Sequence, residues 1–295
     1  MQSIIYFFSN IWYNFDMKCF DCPRDCGIDR SQSFGFCHER NKIRIAKIIE
    51  NFMWEEPCIS GEKGALAIFF SGCNMKCNFC QNKAISHLGK GEEYSPHEFR
   101  KLILSHDLKK FSSIDLVTPT HFSSLLLEAL DGLDISIPIV WNSSGYEKPE
   151  MIDKISSFVD VFLPDFKFFD SNLSKDIANA EDYFHVASNA IVAMRKNKPE
   201  NKLKNGVLET GVLIRHLVLP SHVQDSIKIL EFIKSNIDKP CISLMSQFVP
   251  LGDKIKRRLY PLEYKAVLSY AEKLGLNEGF IQDFESANQE YIPQF

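Results

Sequence analysis

Phe69-Phe70-Ser71-Gly72-Cys73-Asn74-Met75-Lys76-Cys77-Asn78-Phe79-Cys80-Gln81-Asn82 sets three cysteines at CxxxCxxC spacing directly behind the apolar run Ala65-Leu66-Ala67-Ile68-Phe69-Phe70. The run reads as a buried first strand, and the cysteines as the loop it feeds. At i, i+4 and i+7 the three could instead share one helix face and pack as ordinary core, since free cysteine buries readily. Gly72, Asn74, Asn78, Gln81 and Asn82 argue against that, because they are poor helix formers or compete for backbone hydrogen bonds.

Three thiolates, with no fourth cysteine in the following stretch, can hold three irons of a [4Fe-4S] cluster and leave the fourth without a protein ligand. A structural zinc site would need a fourth donor, from Cys58 or a distant residue. An iron open on one face can be chelated by the amine and carboxylate of S-adenosylmethionine. One electron from the reduced cluster then breaks a C–S bond and yields a carbon radical able to abstract hydrogen.

Downstream, apolar strands and helical stretches alternate. A helix begins at Ser95-Pro96-His97-Glu98, with Ser95 as N-cap, Pro96 at the first helical position and Glu98 at the third. Strands are expected over 114–117, 137–141, 159–163, 212–219 and 242–245, and helices over 122–130, 149–158, a stretch through Ala190 to Met194, 225–235 and 262–274. Six strand-then-helix repeats imply parallel pairing with right-handed crossovers, hence an α/β fold: a partial (β/α)6 TIM-like barrel. Chemistry in such barrels collects at the C-terminal ends of the strands. Thr118-Pro119-Thr120-His121, Asn142-Ser143-Ser144-Gly145-Tyr146, Asp165-Phe166-Lys167, Arg215-His216 and Ser246-Gln247 all fall there. Singly, each has a bland reading as strand cap, turn, surface ion pair or satisfied core histidine. Their recurrence at one end is what a zwitterionic nucleoside ligand needs.

Upstream, Cys19, Cys22, Cys26 and Cys37 follow one another with Pro23 and Gly27 between them. Four cysteines can close a shell on zinc or hold an auxiliary iron–sulfur cluster; the alternative is reduced, unliganded thiols in a flap. Cys58 and His38 are spare candidates. The chain divides into an N-terminal extension, 1–18, with Met17 an alternative start, a cysteine-rich metal-binding segment, 19–60, and the barrel, 61–295.

With 34 basic and 38 acidic residues and a net charge of −4, the chain offers no electrostatic footprint for nucleic acid or an anionic membrane. The basic runs 195–198 and 254–258 read as solvated faces. No segment approaches a membrane span, and the apolar start lacks the basic flank of a secretory signal. Nine cysteines in so long a chain therefore point to metal ligation in a reducing cytoplasm.

The cysteine loop resembles that of the radical SAM superfamily. Together with Cys22-Pro23-Arg24, Val117-Thr118-Pro119-Thr120-His121, Asn142 to Tyr146, Pro164-Asp165-Phe166-Lys167, Arg215 to Pro220 and Ser243 to Gln247, it makes the chain similar to homologues of pyruvate formate-lyase activating enzyme from about residue 19 to 282. The resemblance implies Cys73, Cys77 and Cys80 as cluster ligands and Phe79 beside the nucleoside. Val117 to His121 stands where the superfamily has a Gly-Gly-Glu stretch for the methionyl amine; this chain lacks it, which would leave Thr118, Thr120 and His121 in that role. Asp165 and Lys167 match an Asp-x-Lys motif whose aspartate lies near a monovalent cation and whose lysine lies near the nucleoside. Arg215 matches an arginine that pairs with the methionyl carboxylate. Asn142 replaces an aspartate, which puts the cation site in question, and Gln247 completes the ring. The activity implied is that of an oxidoreductase making a 5′-deoxyadenosyl radical, supplied by a one-electron donor such as flavodoxin or ferredoxin. Its hydrogen donor would be a glycine of a glycyl radical enzyme. Radical chemistry on a small molecule or another protein residue is a second reading, and a non-catalytic metal-stabilised interaction module a third.

Overall fold

The computed structural model describes residues 18–284, so Met17 and nearly all of the expected extension lie outside the described residues. The chain folds as β1 (Ile43–Phe52), α1 (Pro57–Ser60), β2 (Ala65–Phe70), α2 (Lys83–Ser86), β3 (Glu92–Tyr94), α3 (Pro96–Ser105), β4 (Ser113–Val117), α4 (Ser123–Leu130), β5 (Ile139–Ser143) and α5 (Pro149–Ile155). It continues as β6 (Val161–Pro164), α6 (Ser171–Ala178), α7 (Tyr183–Asn197), β7 (Lys202–Lys204), β8 (Val207–Leu217), α8 (Val223–Asn236), β9 (Cys241–Met245), α9 (Pro261–Lys273) and β10 (Gly279–Ile281).

The strands form one sheet in the order β10-β9-β8-β6-β5-β4-β2-β1-β3, with β7 on β8. From β2 to β10 the neighbours on this path are parallel, and β1, β3 and β7 run antiparallel to theirs. The path does not close on itself, so this is the partial barrel that the alternation of strands and helices implied.

Strand composition explains the layering. Every residue of β2, β4, β5 and β6 is buried, as expected of parallel strands covered on both faces. In β2, Leu66, Ile68 and Phe70 face the helices, while the smaller Ala65 and Ala67, with Phe69, form a separate interior group with Phe52 and Val117. The alternation repeats in β4, where Ile114 and Leu116 join the helix-side core and Asp115, between them, faces the interior. α3 starts at the expected capping box: Glu98 N donates to Ser95 Oγ at 3.3 Å and Ser95 N to Glu98 Oε2 at 2.7 Å.

β1 was not anticipated. Its sequence mixes Arg44, Lys47, Glu50 and Asn51 with isoleucines, and its pairing to β2 carries two register shifts that break the alternation. After β1, the chain turns under the barrel. α1 packs against β4 and β8, with Ser113 Oγ donating to Ile59 O at 2.8 Å, and it closes the end where these strands begin. Cys58 and Ile59 there join Val140, Val161, Leu163, Leu208 and Leu213 in a satellite core.

Residues 18–42 form a short two-armed unit in which Cys19 N donates to Ile28 O at 2.8 Å and Gly27 N to Cys19 O at 3.0 Å. Arg30 Nη1 anchors it to the barrel through His121 O at 2.7 Å, and Arg24 Nε through Asn74 O at 2.7 Å. Among the described residues no helix is long and apolar enough to cross a membrane.

Candidate functional site

A cavity of about 540 Å³ opens where the parallel strands end. Its lining includes all three cysteines of the CxxxCxxC loop, together with Thr118, Asn142, Asp165, Lys167, Arg215 and Gln247. Phe52, Trp54, Phe69, Phe79, Phe248 and Phe280 supply its apolar lining. Phe79 is held by Phe248 at 5.6 Å between ring centroids and edge-on by Phe168 at 6.3 Å.

The cysteine segment is loop, as the small polar residues between the cysteines require. Gly72 and Lys76 take left-handed backbone, with φ of 77° and 58°. Met75 N donates to Cys73 Sγ at 3.3 Å, Cys80 Sγ lies 3.4 Å from Ser86 Oγ, and the backbone amide of Asn82 bonds to Cys80. Burial raises the Cys77 thiol well above the ordinary range, and only partly does the nearby Lys167 charge oppose it. A thiolate at that position needs a cation beside it, which an iron would supply. Among the described residues no three His, Cys, Asp or Glu side chains are gathered around the position of a single metal ion. Thiolates on different irons of a cubic cluster need not meet at one point, so the loop's amide donors and sulfurs suit a cluster better than one ion. Cys58 supplies no fourth donor: it lies in the satellite core beside Cys241 and does not line the cavity.

In the same lining, charged groups interlock. Arg215 Nε donates to Asp165 Oδ1 at 2.8 Å, Nη1 to Glu55 Oε2 at 2.8 Å and Nη2 to Asn142 Oδ1 at 2.6 Å. Asn142 Nδ2 in turn donates to Asp115 Oδ2 at 3.2 Å and Glu55 Oε1 at 3.3 Å. Lys167 Nζ pairs with Asp165 Oδ2, and Tyr183 OH receives Lys167 N at 2.9 Å and lies 2.7 Å from Asp165 O. Burial alone would raise the Asp165 carboxyl, but Arg215 and Lys167 outweigh it and hold it below its usual range. Burial would likewise lower Arg215, and the facing carboxylates Asp165 and Glu55 reverse that. Glu55 is pushed up to about 7 by burial, with Arg215 opposing and Glu56 and Asp165 adding to the rise.

Other expected residues stand outside the cavity lining. Thr120 Oγ1 donates to the buried Glu147 Oε1 at 3.0 Å. His121 is 1% exposed, sits 2.6 Å from Ser71 O through Nε2, and is lowered to about 3 by burial and the Arg30 charge, so it is neutral. His121 thus supports the loop from behind, while Thr120 holds Glu147. His216 is the satisfied core histidine of the bland reading, with Nδ1 2.7 Å from Phe166 O and Nε2 2.8 Å from Ser226 Oγ. His38 is exposed.

Glu55 and Glu147 escaped the sequence reading. Glu147 accepts from Trp141 Nε1 at 2.9 Å and directly follows the Asn142 to Tyr146 stretch, which was a usable signal. Glu55 follows an unanticipated strand, and no motif marks it.

Residues 59–193 match a family described as a 4Fe-4S single cluster domain. Over 283 residues the chain is 30% identical to "Uncharacterized protein MJ0674" of Methanocaldococcus jannaschii, covering 90% of this chain and 77% of that protein. Among solved structures, a domain of pyruvate-formate lyase-activating enzyme from Bacteroides vulgatus aligns at 16% identity and TM-score 0.37, over 50% of this chain and 82% of that one. Streptococcus suis SuiB bound to S-adenosylmethionine aligns at 14% and 0.46, over 74% and 47%. Methylornithine synthase (PylB) aligns at 15% and 0.44, over 71% and 68%. At these scores the structural likenesses carry no residue role across.

Proposed function

Because this chain belongs to the family of the Methanocaldococcus jannaschii protein and matches a 4Fe-4S single cluster domain, we propose that it is a radical SAM oxidoreductase. The observation that carries the reading is one cavity lined both by Cys73, Cys77 and Cys80 and by Arg215, Asp165 and Lys167. When bound, the cluster supplies one electron that splits the sulfonium of S-adenosylmethionine and leaves a 5′-deoxyadenosyl radical for hydrogen abstraction.

The chain's own part is binding and orientation. A guanidinium has five N–H groups, and Arg215 commits three, to Asp165, Glu55 and Asn142. The remaining two are available to a methionyl carboxylate, with the ion pairs fixing the plane in which they point. Thr118, at a left-handed φ of 63°, turns the end of β4 into the cavity, and Asn142 and Gln247 add polar contacts to its lining. Phe79 offers a ring face to an adenine or ribose. Lys167 places a positive charge beside Cys77, where the cluster's negative thiolate shell would lie. The phenylalanines of the lining would limit the water around a reactive radical.

By the family resemblance, the hydrogen donor we favour is a backbone glycine of a partner enzyme, with a flavodoxin or ferredoxin as reductant and the cytoplasm as the site of action. The test is anaerobic reconstitution with iron and sulfide, reduction with dithionite, and assay for 5′-deoxyadenosine and methionine. Reductive cleavage, with deuterium passing from a labelled donor protein into 5′-deoxyadenosine, is expected. A reconstituted cluster that leaves S-adenosylmethionine intact would overturn the reading.

A further inference from the structure

The cysteine-rich unit at 18–42 plays no part in the cavity's chemistry, yet its four sulfurs are arranged for a purpose. Cys19, Cys22 and Cys37 are buried, at 9%, 6% and 5% exposure, and Cys26 is half-buried. Each sulfur receives a backbone N–H: Asp21 bonds to Cys19, Arg24 to Cys22 and Glu39 to Cys37, while Phe36 N lies 3.4 Å from Cys26 Sγ. Arg30, itself 6% exposed, spreads its fork across two of them, with Nη1 4.0 Å from Cys19 Sγ and Nη2 4.0 Å from Cys37 Sγ. Gly35 lies between the sulfurs of Cys26 and Cys37, since a Cβ there would stand 3.5 Å from each.

Neutral thiols are weak acceptors that also have a proton to donate. Donors aimed at all four sulfurs are what a set of thiolates requires, and four thiolates buried together need a cation among them. Arg30 does not suffice, being shared with Asp21 Oδ2 at 3.5 Å and His121 O at 2.7 Å. A divalent centre would leave about two negative charges, beside which stands the guanidinium of Arg30. The chain order also fits, with Cys19-x-x-Cys22 as a close ligand pair and Cys26 and Cys37 supplied by the second arm.

We propose that Cys19, Cys22, Cys26 and Cys37 close a second metal centre, ligated wholly by thiolates, that braces the cysteine loop of the cavity. Four protein ligands leave no open position, so this centre is structural and binds no substrate. The brace runs through two contacts. Arg24, stacked over Phe36 at 4.1 Å and Tyr146 at 5.0 Å, donates to Asn74 O inside the CxxxCxxC loop. Gly72, at the start of that loop, packs so closely on the fourth cysteine that a Cβ would lie 2.7 Å from Cys37 O. Because the sulfurs are not yet gathered at a single-ion position, one zinc ion would draw the two arms together, whereas an iron–sulfur cluster would span them with less movement.

The proposal is independent of whether the cavity cleaves S-adenosylmethionine, and its test is metal content rather than turnover. Full-length protein in which Cys73, Cys77 and Cys80 are all replaced by Ala is purified anaerobically and analysed by inductively coupled plasma mass spectrometry. About one zinc or about four irons per chain is expected to remain, the first identifying an ion and the second an auxiliary cluster. Adding Cys26→Ser to this background should remove that metal, and chelation of the parent should lower its thermal midpoint. A triple variant that carries no stoichiometric metal overturns the proposal, whether or not the Cys26→Ser protein folds. So does a Cys26→Ser protein that is folded and retains the full metal content.

Discussion

Arg215 Nη1 lies 2.8 Å from Glu55 Oε2, joining two side chains 160 residues apart across the interior of the barrel. Their side chains are only 13% and 12% exposed, so the pair is shielded from solvent and its loss is not cushioned by water. Arg215→Leu strands Glu55 and Asp165 and is expected to cost about 3–5 kcal/mol in urea unfolding. Arg215→Lys keeps the charge without the fork and should unfold at a smaller penalty while raising KM for S-adenosylmethionine. An Arg215→Leu protein as stable as the parent would show that these carboxylates do not depend on the guanidinium.

Glu55 gives that network a pH dependence. Its carboxyl, raised from 4.5 to about 7 mainly by burial, holds a proton in the folded chain over a range where the unfolded chain has lost it. The folded state then binds more protons, so this group's contribution is fully present below about 4.5 and is lost as pH rises through about 7. Glu39 is also raised to about 7, so the comparison must be differential. Between pH 5 and 8 the stability of the parent should fall relative to that of Glu55→Gln. A constant difference between the two across this range would contradict the assignment.

The two buried cysteines Cys77 and Cys58 should respond differently to the same change. Cys77→Ala removes a sulfur from the cavity and is expected to remove the cavity cluster's share of the iron–sulfur absorbance of reconstituted protein. Cys58→Ala, in the satellite core, should keep that absorbance and lose on the order of 1 kcal/mol of stability to a small void. Equal loss of absorbance in both would place Cys58 among the ligands.

Gly72 is constrained twice, by its φ of 77° and by the 2.7 Å that a Cβ would leave to Cys37 O and Glu39 Cγ. Gly72→Ala is expected to destabilise the chain by roughly 1–3 kcal/mol. It should also make the CxxxCxxC loop more open to amide hydrogen exchange. Unchanged exchange at Cys73 to Cys80 would show that the two cysteine segments are not coupled through this contact.

Six of the parallel strands were readable from local apolar runs, of which Ala65 to Phe70 is the plainest because it needs no partner to be recognised as buried; the three-residue β10, parallel to β9, was not. α3 was readable from its capping box. β1 was not: it lies between β2 and β3, and the two register shifts in its pairing to β2 break the period, so Arg44 and Lys47 look like loop residues. Of the polar ring, Asn142, Asp165, Lys167, Arg215, Thr118 and Gln247 line the cavity, while Thr120 and His121 turn back to hold Glu147 and Ser71. Position after a strand places a residue at the right end of the barrel, but one step along the chain decides which way it points.

Sequence alone thus determined the α/β alternation and the cysteine-bearing loop behind the first parallel strand, because spacing and local hydrophobicity are properties of consecutive residues. Tertiary structure alone decided the partners. Glu55 reaches Arg215 only because the chain after β1 passes beneath the barrel, and Cys58 is carried away from the cysteine loop by the same turn. Such pairings depend on where a sheet brings distant segments, a long-range consequence of packing that no local pattern encodes.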